Sequence, residues 1–219
     1  MNQRVLKNRS RYNRMAGFYE WLVRSGSLGQ FQRFHQAVAD AIEADPGALL
    51  LDLGCGPGTL TPRLLPKVGP EGAILGVDVS DAMIERARSL SVQRGWHNVR
   101  FERADAREFA PDRSPGIIVF CLSLTTLPDQ ARCFARAVSW LAPGGQLVVL
   151  DSFLEPKRRL AGLVIRLKSP LVGADPTDVS LAELAAPLET VRLRRFHGGV
   201  YALLSGRKPR ARATQEIPT

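Results

Sequence analysis

Short apolar runs recur along the middle of the chain, and each is followed by a stretch whose apolar residues return every three or four positions. Apolar residues at consecutive positions are typical of strands buried on both faces, and the longer period is typical of amphipathic helices. The pattern predicts strands at 48–53, 73–78, 98–102, 116–121 and 146–151, and helices at 59–67, 80–94 and 130–141. Strands that alternate with helices indicate an α/β protein built on a parallel sheet.

The hydrophobic pattern changes near the end of the sequence. Residues 190–196 alternate between apolar and polar positions, Gly198 and Gly199 follow, and residues 200–205 form a further apolar run. Two such runs joined by a glycine turn predict an antiparallel β-hairpin. We therefore expect a seven-stranded sheet that is mostly parallel and ends in a C-terminal antiparallel hairpin.

Composition is consistent with one folded domain around this sheet. The chain has 219 residues, of which 45% are hydrophobic and 23% charged, as in ordinary globular proteins. Cys55, Cys121 and Cys133 are too few, and odd in number, for a disulfide framework, which favours a reducing, cytoplasmic location. No apolar run approaches the roughly 18–20 residues that span a bilayer, and no secretory signal is expected.

The positive charge of the chain is concentrated at its two ends. Residues 1–35 carry seven Lys or Arg residues against one acidic residue, residues 150–219 carry twelve against seven, and the middle has a net charge of −2. Basic flanks around a nearly neutral centre indicate an anionic partner, either a membrane surface or nucleic acid. The alternative is that the charge serves only solubility.

A basic amphipathic segment follows the fifth predicted strand, at residues 155–170. On a helix, Leu160, Leu163, Val164 and Leu167 fall on one face, and five Lys or Arg residues surround them. Such a helix is typical of peripheral contact with a membrane surface or of a lid over a substrate. The alternative is an ordinary helix that packs on the sheet.

A glycine-rich loop follows the first predicted strand and carries the chemistry of the chain. It reads Asp52-Leu-Gly-Cys-Gly-Pro-Gly58, and glycines at such a place let backbone N–H groups approach a ligand at a helix N-terminus. Asp78 ends the second strand, where a carboxylate can accept both ribose hydroxyls of an adenosine ligand. Asp105 follows the third strand, where it could accept from the adenine amine or, alternatively, serve only as a helix cap.

Four motifs occur in order at the expected intervals, and together they give the chain a resemblance to class I S-adenosylmethionine-dependent methyltransferases over residues 45–207. These motifs are residues 51–58, 77–83, 103–106 and 141–147. The resemblance implies a Rossmann-like methyltransferase sheet and S-adenosyl-L-methionine as cofactor. A nicotinamide oxidoreductase is the competing enzyme class, and the G-x-G-x-G spacing opposes it because a nicotinamide loop prefers G-x-G-x-x-G.

The resemblance also implies a role for each residue of the motifs. The loop containing Cys55 lines the methionine moiety, Asp52 bonds near the cofactor amino group, and Asp78 holds the ribose. Two apolar side chains pack against adenine, and two further residues fix its edge. The backbone after the fourth strand contacts the methionine end. The complete cofactor set is Asp52, Gly54, Cys55, Gly56, Gly58, Asp78, Val79, Met83, Asp105, Ala106 and Cys121.

Residues 11–20 resemble the aromatic N-terminal lid of methyltransferases that act on quinone precursors and phospholipid head groups. This predicts a helical lid at 1–45, the cofactor-binding domain at 46–207 and a flexible tail at 208–219. Two features depart from related patterns: Thr125 or Thr126 stands where quinone methyltransferases often have histidine, and Cys121-Leu-Ser-Leu124 lacks the N/D-P-P-Y/F signature of nucleobase-amine methylation.

The candidates to orient or deprotonate the methyl acceptor are Tyr12, Tyr19 and His35, with His197 as a weaker one. The acceptor is expected to be a small amphipathic or membrane-borne molecule, such as a phospholipid head-group amine or a quinone precursor. An RNA methyltransferase is the alternative, although nucleic acid is the less favoured partner, and a non-catalytic cofactor-binding scaffold is a further one. The cysteine spacing indicates no metal site, and nothing indicates an oligomeric state.

Overall fold

The computed structural model describes residues 3–15, 31–154 and 159–210. Its helices are α1 (Gln3–Met15), α2 (Phe31–Ala41), α3 (Thr61–Val68), α4 (Asp81–Arg94), α5 (Gln130–Trp140), α6 (Arg159–Val172) and α7 (Leu181–Ala185). Its strands are β1 (Leu49–Leu53), β2 (Ala73–Asp78), β3 (Val99–Arg103), β4 (Ile117–Cys121), β5 (Gln146–Asp151), β6 (Glu189–Phe196) and β7 (Tyr201–Arg207). Short 3₁₀ turns lie at Leu124–Thr126 and His197–Gly199.

The strands form one seven-stranded sheet in the order β3-β2-β1-β4-β5-β7-β6. Strands β1 to β5 pair in parallel, whereas β7 is antiparallel to both β5 and β6. The predicted α/β sheet with its antiparallel hairpin is therefore confirmed. The strand order reverses between β1 and β4, which is where open α/β sheets form a ligand crevice at the carboxyl ends of their strands.

Apolar side chains cover both faces of the sheet. On one face, Phe34 and Val38 of α2 pack with Leu64 of α3 against the central strands. On the other face, Phe134 of α5 and Leu184 of α7 belong to a second buried cluster. Burial on both faces explains why the parallel strands have apolar residues at consecutive positions rather than alternating ones.

Helix α4 begins at the capping residue that its sequence predicts. Ser80 precedes the helix in extended backbone, and its side chain accepts a hydrogen bond from the Met83 backbone N–H. Gly95 ends the helix in the left-handed conformation, and its backbone N–H bonds to carbonyls of the last turn. These caps fix the direction in which α4 leaves the carboxyl end of β2.

Helix α6 buries a different side from the one that its apolar stripe would predict. Ile165 is buried and packs in a small cluster with Val200, Leu154 and Tyr201. The predicted stripe lies on the opposite side and faces solvent, with exposures of 83% for Leu160, 57% for Leu163, 40% for Val164 and 69% for Leu167. Helix α6 thus keeps its apolar stripe off the sheet. Among the helices of the described ranges, none is long and apolar enough to cross a bilayer.

Candidate functional site

The glycine loop turns sharply as it leaves β1. Gly54 and Gly56 both adopt positive φ angles, of 76° and 53°, and the Gly54 backbone N–H donates to the Val77 carbonyl at 2.7 Å. A Cβ at Gly54 would overlap the Cβ of Ser123 and lie 3.0 Å from its Oγ. Glycine is therefore required at position 54 because β1 and the segment after β4 approach each other closely here.

A cleft opens above this loop at the carboxyl edge of the sheet, and Asp78 lies at its centre. The carboxylate accepts hydrogen bonds from the backbone N–H groups of Gly56 at 3.0 Å and of Ser80 at 2.9 Å. Burial raises the pKa of Asp78 above its ordinary value, and these backbone bonds act in the opposite direction. The carboxylate is thus fixed in orientation between the glycine loop and the start of α4.

One end of the cleft is apolar with an acidic rim. Val79, Met83 and Ala106 line it together with Asp105. Both carboxylate oxygens of Asp105 accept from the Arg107 guanidinium, the closest at 2.6 Å. Burial raises the pKa of Asp105, but the Arg107 hydrogen bonds outweigh it and hold the pKa below its ordinary value. Asp105 is therefore a fixed, ionised acceptor beside the apolar side chains of Val79, Met83 and Ala106.

A smaller inner cavity begins at Gly54 and extends under the loop. Asp52, His35, Cys55 and Cys121 line it. The Oδ2 atom of Asp52 is buried, and none of the described residues forms a hydrogen bond with it. Burial, reinforced by the charge of Asp78, raises the pKa of Asp52 to about 7. Burial also raises the pKa values of the Cys55 and Cys121 thiols, so neither cysteine is a thiolate nucleophile.

Helix α1 covers the outer cleft and is attached through polar contacts. Asn8 donates to the Thr126 carbonyl at 2.7 Å, Asn13 accepts from the Ser80 hydroxyl at 2.6 Å, and Arg9 pairs with Asp81. Between them, Tyr12 lines the cleft. Burial raises the pKa of Tyr12 well above its ordinary value, despite a hydrogen bond with Thr126. The Tyr12 phenol therefore stays protonated and can donate a hydrogen bond, but it cannot act as a base near neutral pH.

Three sequence candidates lie apart from this arrangement. Tyr19 lies outside the described residues. Gly58 is not among the residues that line the cleft or the inner cavity; it faces Phe101, whose ring lies 3.0 Å from where its Cβ would be. His197 sits in the turn of the C-terminal hairpin. In the parts of the chain that are described, no group of His, Cys, Asp and Glu side chains could hold a metal ion.

A buried polar network that the sequence pattern does not predict lies beside the cleft. Asp151, at the end of β5, accepts from the Thr125 backbone N–H at 3.0 Å and from its hydroxyl at 2.7 Å. Burial raises the pKa of Asp151 to about 6, although the Thr125 bonds lower it. Ser123 donates to the Leu53 carbonyl at 2.6 Å. A signal in the sequence was the acidic residue Asp151 directly after the apolar residues 147–150.

This arrangement fits S-adenosylmethionine. Along the strand order β3-β2-β1, the cleft offers apolar side chains beside the fixed carboxylate of Asp105, then the carboxylate of Asp78, which suits paired hydroxyls, and then the glycine loop. The inner cavity beyond the loop holds the unpartnered Oδ2 of Asp52, an acceptor suited to the ammonium group of an amino acid. The order of these features follows the order of adenine, ribose and methionine in the molecule.

Comparisons with known proteins agree with this fit. A family model described as a methyltransferase domain matches residues 44–168. Trans-aconitate 2-methyltransferase from Methylobacterium nodulans is 38% identical over 141 residues, which cover 64% of this chain and 50% of that protein. The enzyme of the same name from Escherichia coli strain SE11 is 35% identical, over 67% of this chain and 59% of the relative. The chain thus spans little more than half the length of these relatives.

Solved structures show the same fold at low sequence identity. The N-methyltransferase NodS from Bradyrhizobium japonicum, in complex with S-adenosyl-L-homocysteine, superposes with a TM-score of 0.71, 18% identity and coverage of 92% of this chain and 98% of that one. An S-adenosylmethionine-dependent methyltransferase from Aquifex aeolicus gives a TM-score of 0.59, 18% identity and coverage of 79% and 88%.

The named relatives are trans-aconitate methyltransferases, so they do not carry the expected resemblance to the quinone and phospholipid group. The family model and the relatives do support the broader resemblance to methyltransferases. By its family model and its fold, this chain belongs to the class I S-adenosylmethionine-dependent methyltransferases, the family whose cofactor is S-adenosylmethionine.

Proposed function

We propose that this methyltransferase acts on a small amphipathic acceptor that it takes from an anionic membrane surface. The observation that carries the proposal is the solvent-facing apolar stripe of α6, defined by Leu160, Leu163, Val164 and Leu167 and exposed by 40% to 83%. Exposed apolar patches of this kind mark interaction sites, because a monomer in water gains nothing by leaving several leucines uncovered.

Charge favours a membrane as the surface that covers this stripe. Helix α6 contains three Lys or Arg residues and no acidic residue, and Arg166 is exposed. Helices with an apolar face and basic flanks lie in the plane of the interface, where the apolar side chains insert and the cations meet anionic head groups. Each basic residue near an anionic surface contributes about 1 kcal/mol.

The position of α6 suits delivery of an acceptor to the site. Gly173 follows the helix, and a Cβ there would meet Arg11 and Asn8 of the covering helix α1. The Asp175 backbone N–H then donates to the Thr125 carbonyl at 2.6 Å, beside the cleft. A molecule drawn from a membrane under α6 would therefore reach the carboxyl edge of the sheet directly.

For the cofactor, the geometry supports the roles that the motifs imply. We assign the ribose hydroxyls to Asp78, the adenine faces to Val79 and Met83, and the adenine edge to Asp105 and Ala106. Asp52, Gly54, Cys55, Gly56 and Cys121 surround the methionine end. We assign Gly58 the packing of the loop against Phe101. We also propose that residues 1–45 form the lid and that residues 46–207 form the cofactor-binding domain.

The main task of the protein in methyl transfer is to align the acceptor with the methyl group. When bound, the cofactor supplies a methyl group on a positively charged sulfur, which is already activated for transfer. Holding the acceptor in line can lower the barrier by up to about 7–11 kcal/mol. Tyr12 remains protonated, so we assign it the orientation of the acceptor by hydrogen bonding and not the removal of its proton.

The membrane proposal is tested by vesicle sedimentation at low and high salt. Leu163→Ser combined with Leu167→Ser should weaken binding to vesicles of phosphatidylcholine mixed with phosphatidylglycerol about tenfold or more, because both side chains lose the chance of apolar burial. Val92→Ser is the matched control, since Val92 is 82% exposed on α4 and lies outside the stripe. S-adenosylhomocysteine affinity should stay unchanged in both variants. If the double variant sediments like the parent protein, or if the parent protein binds neutral and anionic vesicles equally, the proposal fails.

A free carboxylic acid is the second candidate acceptor, and the relatives favour it because those matched at 35–38% identity are named trans-aconitate 2-methyltransferases. A transfer assay with cofactor labelled in its methyl group separates the two. Its panel contains trans-aconitate, phospholipid vesicles, quinone precursors and RNA. Label in trans-aconitate alone would replace the membrane acceptor with a soluble one.

A further inference from the structure

His35 is a buried polar residue whose position lacks an explanation in packing alone. It lies on α2 and is 3% exposed, and its Nδ1 has no hydrogen-bond partner within the described ranges of the chain. A buried polar atom that is left unpaired is unfavourable, because it loses its hydrogen bonds to water and gains none in the protein. An unpaired nitrogen at such a place therefore points to a bound group that would satisfy it.

The other nitrogen of the ring is already used. The imidazole makes a hydrogen bond with the Thr59 backbone, and this bond raises the pKa, which marks the ring as its donor. Burial, and then the positive charge of Arg63, outweigh that bond and lower the pKa of His35 to about 4. The imidazole is therefore neutral at pH 7, and Nδ1 is its bare, accepting nitrogen.

A second unpaired acceptor lines the same cavity. Asp52 Oδ2 is buried without a partner, and Asp52 and His35 both line the inner cavity with Gly54. Two unpaired acceptors and no cationic side chain among the lining residues described there call for a ligand that brings several N–H donors and a positive charge. An ammonium group has three such donors.

We infer that His35 Nδ1 and Asp52 Oδ2 together accept from the α-ammonium group of the methionine part of the cofactor. This inference rests on the cofactor site proposed above and deepens it. His35 was a sequence candidate for contact with the methyl acceptor. The inference instead makes it a residue that binds the amino-acid end of the cofactor. A ligand that has the same adenosine but lacks the amino acid cannot donate a hydrogen bond to His35.

The test compares S-adenosylhomocysteine with 5′-methylthioadenosine, which lacks the ammonium-bearing carbons, by calorimetry on the full chain. His35→Phe keeps a ring against Phe31, whose centroid lies 4.0 Å from that of His35, but removes the accepting nitrogen. It should weaken S-adenosylhomocysteine binding about tenfold or more, as for a bond to a charged group, and leave 5′-methylthioadenosine binding within about twofold. His35→Asn, whose amide oxygen can take the place of Nδ1, should recover most of the affinity.

Two controls keep the outcome interpretable. Phe34→Leu changes a fully buried ring on the same helix that does not line the cavity, and should affect neither ligand selectively. Asp78→Asn should weaken both ligands, since both contain the ribose; if it weakens neither, the proposed cofactor site is wrong, whatever His35 does. Equal loss of both ligands in His35→Phe would make His35 a packing residue. If His35→Phe binds both ligands as the parent protein does but has a raised KM for the methyl acceptor, His35 contacts the methyl acceptor instead. Either result overturns the inference.

Discussion

Alanine at Gly54 would test the close approach on which the site is built. The new Cβ would overlap the Ser123 Cβ, and the backbone would keep a φ of 76°. A residue with a Cβ in the left-handed region costs about 1–2 kcal/mol, and forcing an extra carbon into a packed contact costs about 1–3 kcal/mol. The expected loss of unfolding free energy is therefore about 2–5 kcal/mol.

Gly95 provides the matched control. Its φ is 65°, and no atom of the described residues lies within 4 Å of where its Cβ would be. Gly95→Ala should therefore lose only the conformational part, about 1–2 kcal/mol. Urea unfolding of both variants without ligand, followed by circular dichroism, gives the difference that belongs to the Ser123 contact.

A double variant separates the contact from other effects. Ser123→Gly removes the opposing Cβ and also the hydrogen bond to the Leu53 carbonyl, at a cost of about 1 kcal/mol. Gly54→Ala combined with Ser123→Gly should be more stable than the two single losses predict, by about 1–3 kcal/mol. Additive losses, or equal losses in Gly54→Ala and Gly95→Ala, would refute the steric argument.

Three further predictions concern the cleft. Asp78→Asn should weaken S-adenosylhomocysteine binding about tenfold or more by calorimetry, because a charge-assisted bond is lost; affinity within about twofold of the parent would remove Asp78 from the site. The pKa of Asp52 is raised from 3.8 to about 7, so its stabilising effect on the free protein is present below pH 3.8 and is lost as the pH rises through 7. In thermal unfolding, Asp52→Asn should lack this fall in stability between pH 3.8 and about 7, and an unchanged fall would contradict the assignment. Asn8→Ala leaves the Thr126 carbonyl without its donor, and should speed both trypsin cleavage within α1 and release of S-adenosylhomocysteine; unchanged rates would argue against a lid.

Much of the fold follows from local sequence. A strand buried on both faces must be apolar at consecutive positions, so β1, β2, β4 and β5 are visible as apolar runs. The glycine loop is equally local, since its positive φ angles demand glycine within a few residues of the strand end. Asp78 is recognisable because it ends a strand that adjoins this loop. These features depend on neighbours in sequence, and sequence analysis predicted them.

Contacts between distant segments were decided only by the tertiary structure. Asp151 and Thr125 are 26 residues apart, and no periodic pattern links them. His35 was a weak candidate in sequence because nothing local says that α2 packs its imidazole beside the glycine loop. The apolar stripe of α6 was predicted, but not which way it would face. A helix with apolar residues on several sides can bury any of those sides. Here the side that contains Ile165 is buried in a cluster, and the leucines of the stripe face solvent. Local periodicity specifies which faces are apolar, whereas the free energy of packing the whole chain determines which of them is covered.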